Sequence, residues 1–231
     1  MRREELRISG IPAILWGEAS ERVYVHVHGK MSRKEYAAQF AAIADEKGWQ
    51  TLSFDLPEHG ERQHDHAFRC DVWNAMHDLQ TIADYAFARY RTVALFACSL
   101  GAYFSMNTYA DLPFERCLFQ SPIVDMQWLV THMMLWSGVT EDALRQQGEI
   151  NTPIDLLRWD YYQYIMQHPV DRWEHPTHVL YAARDQLQPV ECIRRFVQTH
   201  QATLTVAEHS DHPFMEAGDE AIVEQWIRKH L

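Results

Sequence analysis

The chain has 231 residues, 47% of them hydrophobic, which is enough for one medium-sized domain with a full core. Its formal net charge of −11 disfavours nucleic acid as a partner, because a net-negative protein repels phosphate backbones. No apolar run approaches the roughly 20 residues that span a bilayer, so no membrane partner is expected. Internal repeats and linker-like tracts are absent from the sequence, which predicts a single domain over residues 1–231.

Two features of the sequence bear on the compartment of the protein. The charged start of the chain, Met1–Glu5, leads into no apolar segment, which argues against a secretory signal peptide. The cysteines Cys70, Cys98, Cys117 and Cys192 are scattered and form no C-x-x-C pair, which is typical of reduced thiols. We therefore expect a cytoplasmic protein.

The predicted elements alternate between strands and helices along most of the chain. Leu6–Trp16 is a candidate antiparallel hairpin at a sheet edge. Ser32 and Glu35 have the spacing of a capping box, which predicts a helix that begins there and ends near Gly48. The other predicted strands are Val23–Val27, Thr51–Phe54, Thr92–Phe96, Cys117–Phe119, His178–Tyr181 and Ala202–Ala207; the other predicted helices are Asp71–Arg89, Leu100–Tyr109, Val190–Thr199 and Phe214–His230.

This alternation predicts an α/β fold, with a mainly parallel, doubly wound sheet that helices cover on both faces. It is interrupted between about Asp125 and Trp173, where the sequence is predicted to be helical and is rich in Trp, Met and Tyr. Because open α/β sheets carry their sites at the carboxyl ends of the strands, reactive residues at those ends are the candidates for function.

Ser99 is the candidate nucleophile. It lies between a predicted strand and the helix that begins at Leu100, with the small residues Ala97 and Gly101 two positions away on either side. This is the pattern of a nucleophile elbow, the sharp strand-to-helix turn that presents a reactive serine. The helix directs its free N–H groups at the serine, where negative charge would develop. The alternative interpretation is that Ser99 only caps the helix.

A serine nucleophile needs a base to accept its proton and an acid to orient that base. Asp185 follows a predicted strand, and His212 follows the last predicted strand and precedes the final helix. Ser99, Asp185 and His212 thus occur in the chain order serine, acid, histidine, each after a strand. The rival candidates are His209 as the base, and Asp211 and Asp125 as the acid.

The motifs His26–Gly29, Asp55–Arg62 and Ala97–Gly101, together with Asp185 and His212, resemble the α/β-hydrolase superfamily over nearly the whole chain. The second motif is similar to the D-x-x-x-H-G-x-R segment of its esterase- and peptidase-like branches. The sequence departs from the usual family pattern in having alanine, not glycine, at position 97.

The resemblance implies a serine hydrolase that cleaves a carboxylic ester or a related acyl bond through an acyl-enzyme, with no cofactor or metal. The backbone N–H of Leu100 and that of Lys30, with Met31 as the alternative to Lys30, would form the oxyanion hole. The insertion at 125–173 lies where family members carry a cap over the active site. An apolar acyl or aryl pocket there predicts substrate contacts from Met31, Trp128, Met134 and Trp136, although these residues could equally pack the cap onto the core.

Other functions remain open at this stage. A metal-dependent hydrolase would use imidazoles from two clusters, His26 with His28 and His64 with His66. A non-catalytic protein on the same fold would bind a ligand under the cap. Peptide cleavage, acyl transfer and carbon–carbon bond hydrolysis are further reactions of the superfamily. In each case we expect a small-molecule partner and a monomer or homodimer, with loop-shaping or structural roles for His28 and His59.

Overall fold

The computed structural model describes residues 1–65 and 67–231. Within these ranges the strands are β1 (Arg3–Ile8), β2 (Ile11–Trp16), β3 (Arg22–Val27), β4 (Gln50–Phe54), β5 (Thr92–Cys98), β6 (Cys117–Gln120), β7 (Glu149–Asn151), β8 (Leu156–Arg158), β9 (Thr177–Ala182) and β10 (Thr203–Ala207). The α-helices are α1 (Ala38–Glu46), α2 (Val72–Phe87), α3 (Leu100–Tyr109), α4 (Met126–Trp136), α5 (Glu141–Gln147), α6 (Trp159–Gln167), α7 (Val190–Thr199) and α8 (Asp219–His230). Short 3₁₀ helices cover Lys34–Ala37 and Gly60–Arg62.

Eight strands form one sheet in the order β1-β2-β4-β3-β5-β6-β9-β10. The six strands from β4 to β10 are parallel to their neighbours, and β2 runs antiparallel to both β1 and β4. Alternate side chains of a strand point to opposite faces. In β5, Ala94 and Phe96 pack with residues of α1 and α8, whereas Val93 and Leu95 pack with residues of α2, α3 and α7. The predicted mainly parallel, doubly wound sheet and its edge hairpin are confirmed.

Helix α1 begins later than the sequence predicts. The predicted capping box at Ser32 and Glu35 is wrong, since the chain enters the helix through a 3₁₀ turn that has no side-chain cap. Tertiary contacts replace the cap: the backbone N–H and the ammonium group of Lys34 both donate to the buried carboxylate of Asp55, at 2.9 and 2.8 Å. Glu35 is drawn to the same ammonium, 3.1 Å away.

The last helix also starts late, at Asp219 and not at Phe214. Phe214 and Gly218 have φ angles of 52° and 96°, which a right-handed helix cannot contain. The carboxylate of Asp219 accepts hydrogen bonds from the Ser210 hydroxyl, at 2.5 Å, and from the Glu216 N–H, at 2.9 Å. These bonds hold residues 213–218 in a loop that precedes the helix.

We refer to residues 125–173 as the cap segment. Its predicted helices are present as α4, α5 and α6, and the sequence reasoning missed a small antiparallel hairpin formed by β7 and β8. No helix in the described part of the chain is both long and apolar enough to cross a membrane.

Candidate active site

Ser99 occupies a strained turn between β5 and α3. Its φ and ψ angles are 51° and −121°, in a region that non-glycine residues rarely adopt and that is tolerated where the surroundings enforce it. Gly101 allows the turn to pack against β3, because a Cβ atom at this position would lie 2.4 Å from the carbonyl oxygen of His28. Ala97 is fully buried in β5, so alanine is accommodated where the family usually has glycine.

The three residues singled out by chain order lie together. The Ser99 hydroxyl donates to Nε2 of His212 over 2.7 Å, and Nδ1 of His212 donates to Oδ2 of Asp185 over 2.6 Å. A carboxylate only accepts hydrogen bonds, so Nδ1 carries the proton and Nε2 is free to accept from the serine. The Asp185 side chain is fully buried, and that of His212 is 16% exposed. The arrangement places a base on the serine and an acid behind the base.

Backbone donors and a second serine hold this arrangement in place. Oδ1 of Asp185 accepts from the N–H groups of Leu187 and Gln188, at 2.7 and 3.2 Å, which leaves Oδ2 for the histidine. The Ser121 hydroxyl donates to the carbonyl oxygen of His212 at 2.7 Å. Sequence reasoning missed Ser121, since no motif marks it. Its φ of 43° is visible only in the folded chain.

Gln188 is a second residue that the sequence did not indicate. Its buried amide oxygen accepts from the N–H groups of Val124 and Asp125, at 3.0 and 2.8 Å, and its amide nitrogen donates to the Asp125 carbonyl at 3.0 Å. The amide therefore ties the start of the cap segment to the loop that carries Asp185.

The rival candidates lie in other surroundings. His209 is exposed. The carboxylate of Asp125 caps helix α4 by accepting from the N–H of Trp128 at 2.8 Å. Asp211 is adjacent to His212 in the chain, but the carboxylate that His212 contacts is that of Asp185. The geometry therefore favours His212 and Asp185 over these alternatives.

Two buried histidines shape the loop after β3. Nδ1 of His28 donates to the Gly29 carbonyl at 2.7 Å, and its Nε2 accepts from the N–H of Leu56 at 3.1 Å. Nδ1 of His59 donates to the Pro57 carbonyl at 2.8 Å, and its Nε2 accepts from the N–H of Met31 at 3.0 Å. Both rings must be neutral to make these bonds.

Burial is the main reason why these rings stay neutral. It lowers the pKa of His28 to about 4, although the hydrogen bond to the Gly29 carbonyl opposes that shift. Burial also lowers the pKa of His59, again against the hydrogen bond to the Pro57 carbonyl. The positions of His28 and His59 agree with their expected loop-shaping and structural roles.

The loop after β3 packs against Ser99. Gly29 lies against Ser99, since a Cβ atom on Gly29 would be 3.0 Å from that of the serine. The N–H of Met31 is already bonded to His59, which argues against Met31 as the second oxyanion donor. Among the described residues no acceptor takes the N–H of Lys30, and Leu100, the first residue of α3, has no acceptor within its helix. Lys30 and Leu100 thus each have an N–H group without an acceptor among the described residues, so their role in an oxyanion hole stays a prediction.

The four predicted substrate-contacting side chains are dispersed. Met31 is 90% exposed and Trp136 is 47% exposed at the end of α4. Trp128 stacks on His132, with ring centroids 3.7 Å apart, and Met134 is buried in the core. No hydrogen bond or ring contact in the described ranges joins any of them to the triad, so substrate contact by these residues stays a prediction.

The histidines of the metal hypothesis are engaged elsewhere. The His26 ring stacks on Phe96 with centroids 4.7 Å apart, and burial lowers its pKa to about 3. Both nitrogens of His28 bond to the backbone, and His64 is exposed. His66 lies outside the described residues. In the remainder of the chain, no group of three or more His, Cys, Asp or Glu side chains is arranged to hold a metal ion.

The fold matches those of known proteins over the full chain. Est1E from Butyrivibrio proteoclasticus with ferulic acid bound superposes with a TM-score of 0.77 at 16% identity, covering 98% of this chain and 97% of that one. The chain has the α/β-hydrolase fold. Mouse α/β-hydrolase domain-containing protein 10 also gives a TM-score of 0.77, at 15% identity with 100% and 98% coverage.

A monoacylglycerol lipase from Paleococcus ferrophilus gives a TM-score of 0.66 at 17% identity, with 100% of both chains covered. No protein-family model matches the sequence, and no curated protein matches it either. At such low identities, the likeness establishes the fold and leaves the chemistry to the residues of the site.

Proposed function

We propose that this protein is a serine hydrolase that cleaves a carboxylic ester or a related acyl bond of a small molecule. The observation that carries the proposal is the hydrogen-bonded series from the Ser99 hydroxyl through the His212 imidazole to the buried Asp185 carboxylate. A serine on a strained turn, with a base on its hydroxyl and an acid on the base, is the arrangement that activates a serine for attack.

The reaction follows from the positions of these groups. Nε2 of His212 accepts the Ser99 proton as the oxygen attacks the substrate carbonyl, and the Asp185 carboxylate stabilises the imidazolium that forms. The N–H groups of Leu100 and Lys30 hold the tetrahedral oxyanion. His212 then protonates the leaving alcohol, and in the second half of the reaction it deprotonates the water that releases the acid from Ser99.

The names of the structural neighbours support an ester as the bond attacked. Est1E holds ferulic acid, and the Paleococcus ferrophilus neighbour is a monoacylglycerol lipase. A soluble aryl ester such as p-nitrophenyl acetate is a suitable first substrate, because it needs little of the cap and reports directly on acyl transfer.

The test is the Ser99→Ala variant, with Ser105→Ala as its matched control. Ser105 lies on the same helix and donates to the Gly101 carbonyl, so this control removes a hydroxyl from α3 without altering the triad. We expect Ser99→Ala to lower kcat for p-nitrophenyl acetate by on the order of 10⁵- to 10⁶-fold, as in triad deletions of other serine hydrolases. Circular dichroism should show an unchanged fold. Hydrolysis at the wild-type rate by Ser99→Ala would exclude the mechanism.

Covalent labelling gives a second, independent test. A fluorophosphonate should modify wild-type protein and Ser105→Ala at Ser99, and peptide mass spectrometry identifies the residue. Absence of a label on wild-type protein would favour a ligand-binding protein or another reaction. A series of esters of increasing acyl length on labelled and unlabelled protein then defines the acyl group that the site accepts.

A further inference from the structure

An ion pair joins the cap segment to the loop after β3. The hairpin of β7 and β8 turns at residues 152–155, and there the Asp155 carboxylate forms a salt bridge with the Lys30 ammonium group. Lys30 is also the residue whose backbone N–H is proposed to bind the oxyanion. The pair therefore links the cap hairpin to the proposed oxyanion loop.

The acid end of this pair is held rigidly. The hydroxyl of Thr152 donates to the Asp155 carbonyl at 2.7 Å and accepts from the Asp155 N–H at 3.0 Å. Oδ1 of Asp155 accepts from the N–H of Leu156 at 2.9 Å, so Oδ2 is the atom that meets Lys30. Because these bonds already order the carboxylate, less side-chain entropy is lost when the pair forms than for two free side chains.

Lys30, at the other end of the pair, is held by fewer contacts. The loop is fixed before Lys30 by the bonds of His28 and after it by the bond between the Met31 N–H and His59. Lys30 itself has no backbone hydrogen bond to a described residue, and its side-chain bond to Asp155 is the contact that holds it. In the proposed oxyanion hole the Lys30 N–H faces the oxyanion formed at Ser99. Rotation of the Lys30 peptide would turn that N–H away, and the salt bridge opposes this rotation.

We propose that Asp155 is a positioning residue for the oxyanion hole: through the Lys30 side chain, the cap hairpin orients the Lys30 N–H toward the oxyanion. This inference rests on the proposed serine hydrolase function. It makes the rate of acyl transfer depend on the position of the cap hairpin, even for a substrate too small to touch the cap.

The test compares two amide variants in the same hairpin. Asp155→Asn keeps an oxygen for the Leu156 N–H and removes the charge that holds Lys30. Glu149→Gln also removes one charge, from a side chain of β7 that pairs with Arg69 and Arg158 and does not reach the loop. We expect Asp155→Asn to lower kcat for p-nitrophenyl acetate about two- to fivefold with little change in KM, matching the coupling typical of exposed pairs. Glu149→Gln should keep the wild-type kcat.

Salt and a second variant separate positioning from a general loss of structure. An exposed pair is screened by salt, so 1 M NaCl should reduce the wild-type kcat toward that of Asp155→Asn and leave the variant unchanged. Lys30→Met should lower kcat by a similar factor in wild-type protein and have little effect when Asp155→Asn is already present. The exchanged pair, Lys30→Asp with Asp155→Lys, should recover part of the loss.

Equal kcat values for Asp155→Asn and Glu149→Gln, or an effect of Asp155→Asn on KM alone, would overturn the inference. Fluorophosphonate labelling distinguishes this failure from failure of the proposed function. If Ser99 is labelled and the two amide variants behave alike, the positioning role is wrong and the hydrolase remains. If wild-type Ser99 is not labelled, the function itself fails.

Discussion

Around Ser99, buried hydrogen bonds and close backbone contacts hold the chain, whereas the cap hairpin combines the apolar packing of Leu157 with charged pairs at its surface. The Asp185 side chain is fully buried, and Gly101 lies directly against the backbone of β3. Lys30 and Asp155, by contrast, are each more than 40% exposed. Salt has little effect on hydrogen bonds that are buried, whereas it screens the attraction between exposed charged side chains. The surroundings of Ser99 should thus be little affected by salt, while the exposed pairs of the cap hairpin should weaken in it.

The largest expected effect tests the identity of the acid. Asp185→Asn should lower kcat about 10⁴-fold with little loss of stability, because an amide can donate to His212 and stabilise the wrong imidazole tautomer. The matched control is Asp211→Asn, next to the base in the chain, and its kcat should remain at the wild-type value. Steady-state kinetics on p-nitrophenyl acetate measure both. A comparable loss in Asp211→Asn would identify it as the acid instead.

The second-largest effect should come from a steric clash at the strand-to-helix turn that carries Ser99. Gly101→Ala places a methyl group 2.4 Å from the His28 carbonyl, which forces apart α3 and β3. We expect a loss of about 3 kcal/mol in the free energy of unfolding, measured with urea, and reduced activity. Gly138→Ala is the control: its Cβ meets open space but its φ is 65°, so strain alone should cost about 1 kcal/mol. Equal losses would show that contact with β3 is unimportant.

The neutral histidines predict a dependence of stability on pH. The pKa of His28 falls from 6.5 to about 4 on folding, so between these values the unfolded chain binds more protons than the folded one. Stability should therefore fall as the pH drops from 6.5 toward 4, by at most roughly 3 kcal/mol from this residue.

His28→Asn can keep a donor and an acceptor without titrating. Its urea unfolding curves at several pH values should show a shallower decline than the wild type. A decline remains in this variant because burial also lowers the pKa values of other histidines, among them His26, His59 and His230. An unchanged slope in His28→Asn would contradict the assignment.

The smallest effect concerns the attachment of the cap. Arg158 donates to the largely buried Asp71 at 2.8 Å, so Arg158→Met should cost about 1–2 kcal/mol, between values typical of exposed and buried pairs. Arg145, which pairs with Asp142 on the exposed face of α5, provides the control. The urea concentration at the midpoint of unfolding should be the same for Arg145→Met as for the wild-type protein. A matching loss in both variants would mean that burial of the pair with Asp71 adds nothing.

Features set by interactions between residues close in the chain were predicted correctly, whereas features set by contacts between distant residues were not. Apolar strands and amphipathic helices repeat along the chain, so the sheet and its helices were predicted from local pattern. The two helix starts at Ser32 and Phe214 were wrong. At the first helix, the buried carboxylate of the distant Asp55 takes the donors of Lys34. At the last helix, positive φ angles and the hydrogen bonds of Asp219 hold residues 213–218 in a loop.

By itself, the sequence determined the order of the reactive residues and their places at strand ends, because a strand-to-helix turn with small neighbours is a local property. The sequence favoured Asp185 as the acid and left Asp125 open; only the tertiary structure showed that Asp185 is the carboxylate that His212 contacts, paired His59 with Met31, and set Asp155 against Lys30. These choices depend on contacts between segments far apart in the chain. A side chain's partner is set by the packing of whole elements, which residue spacing does not encode.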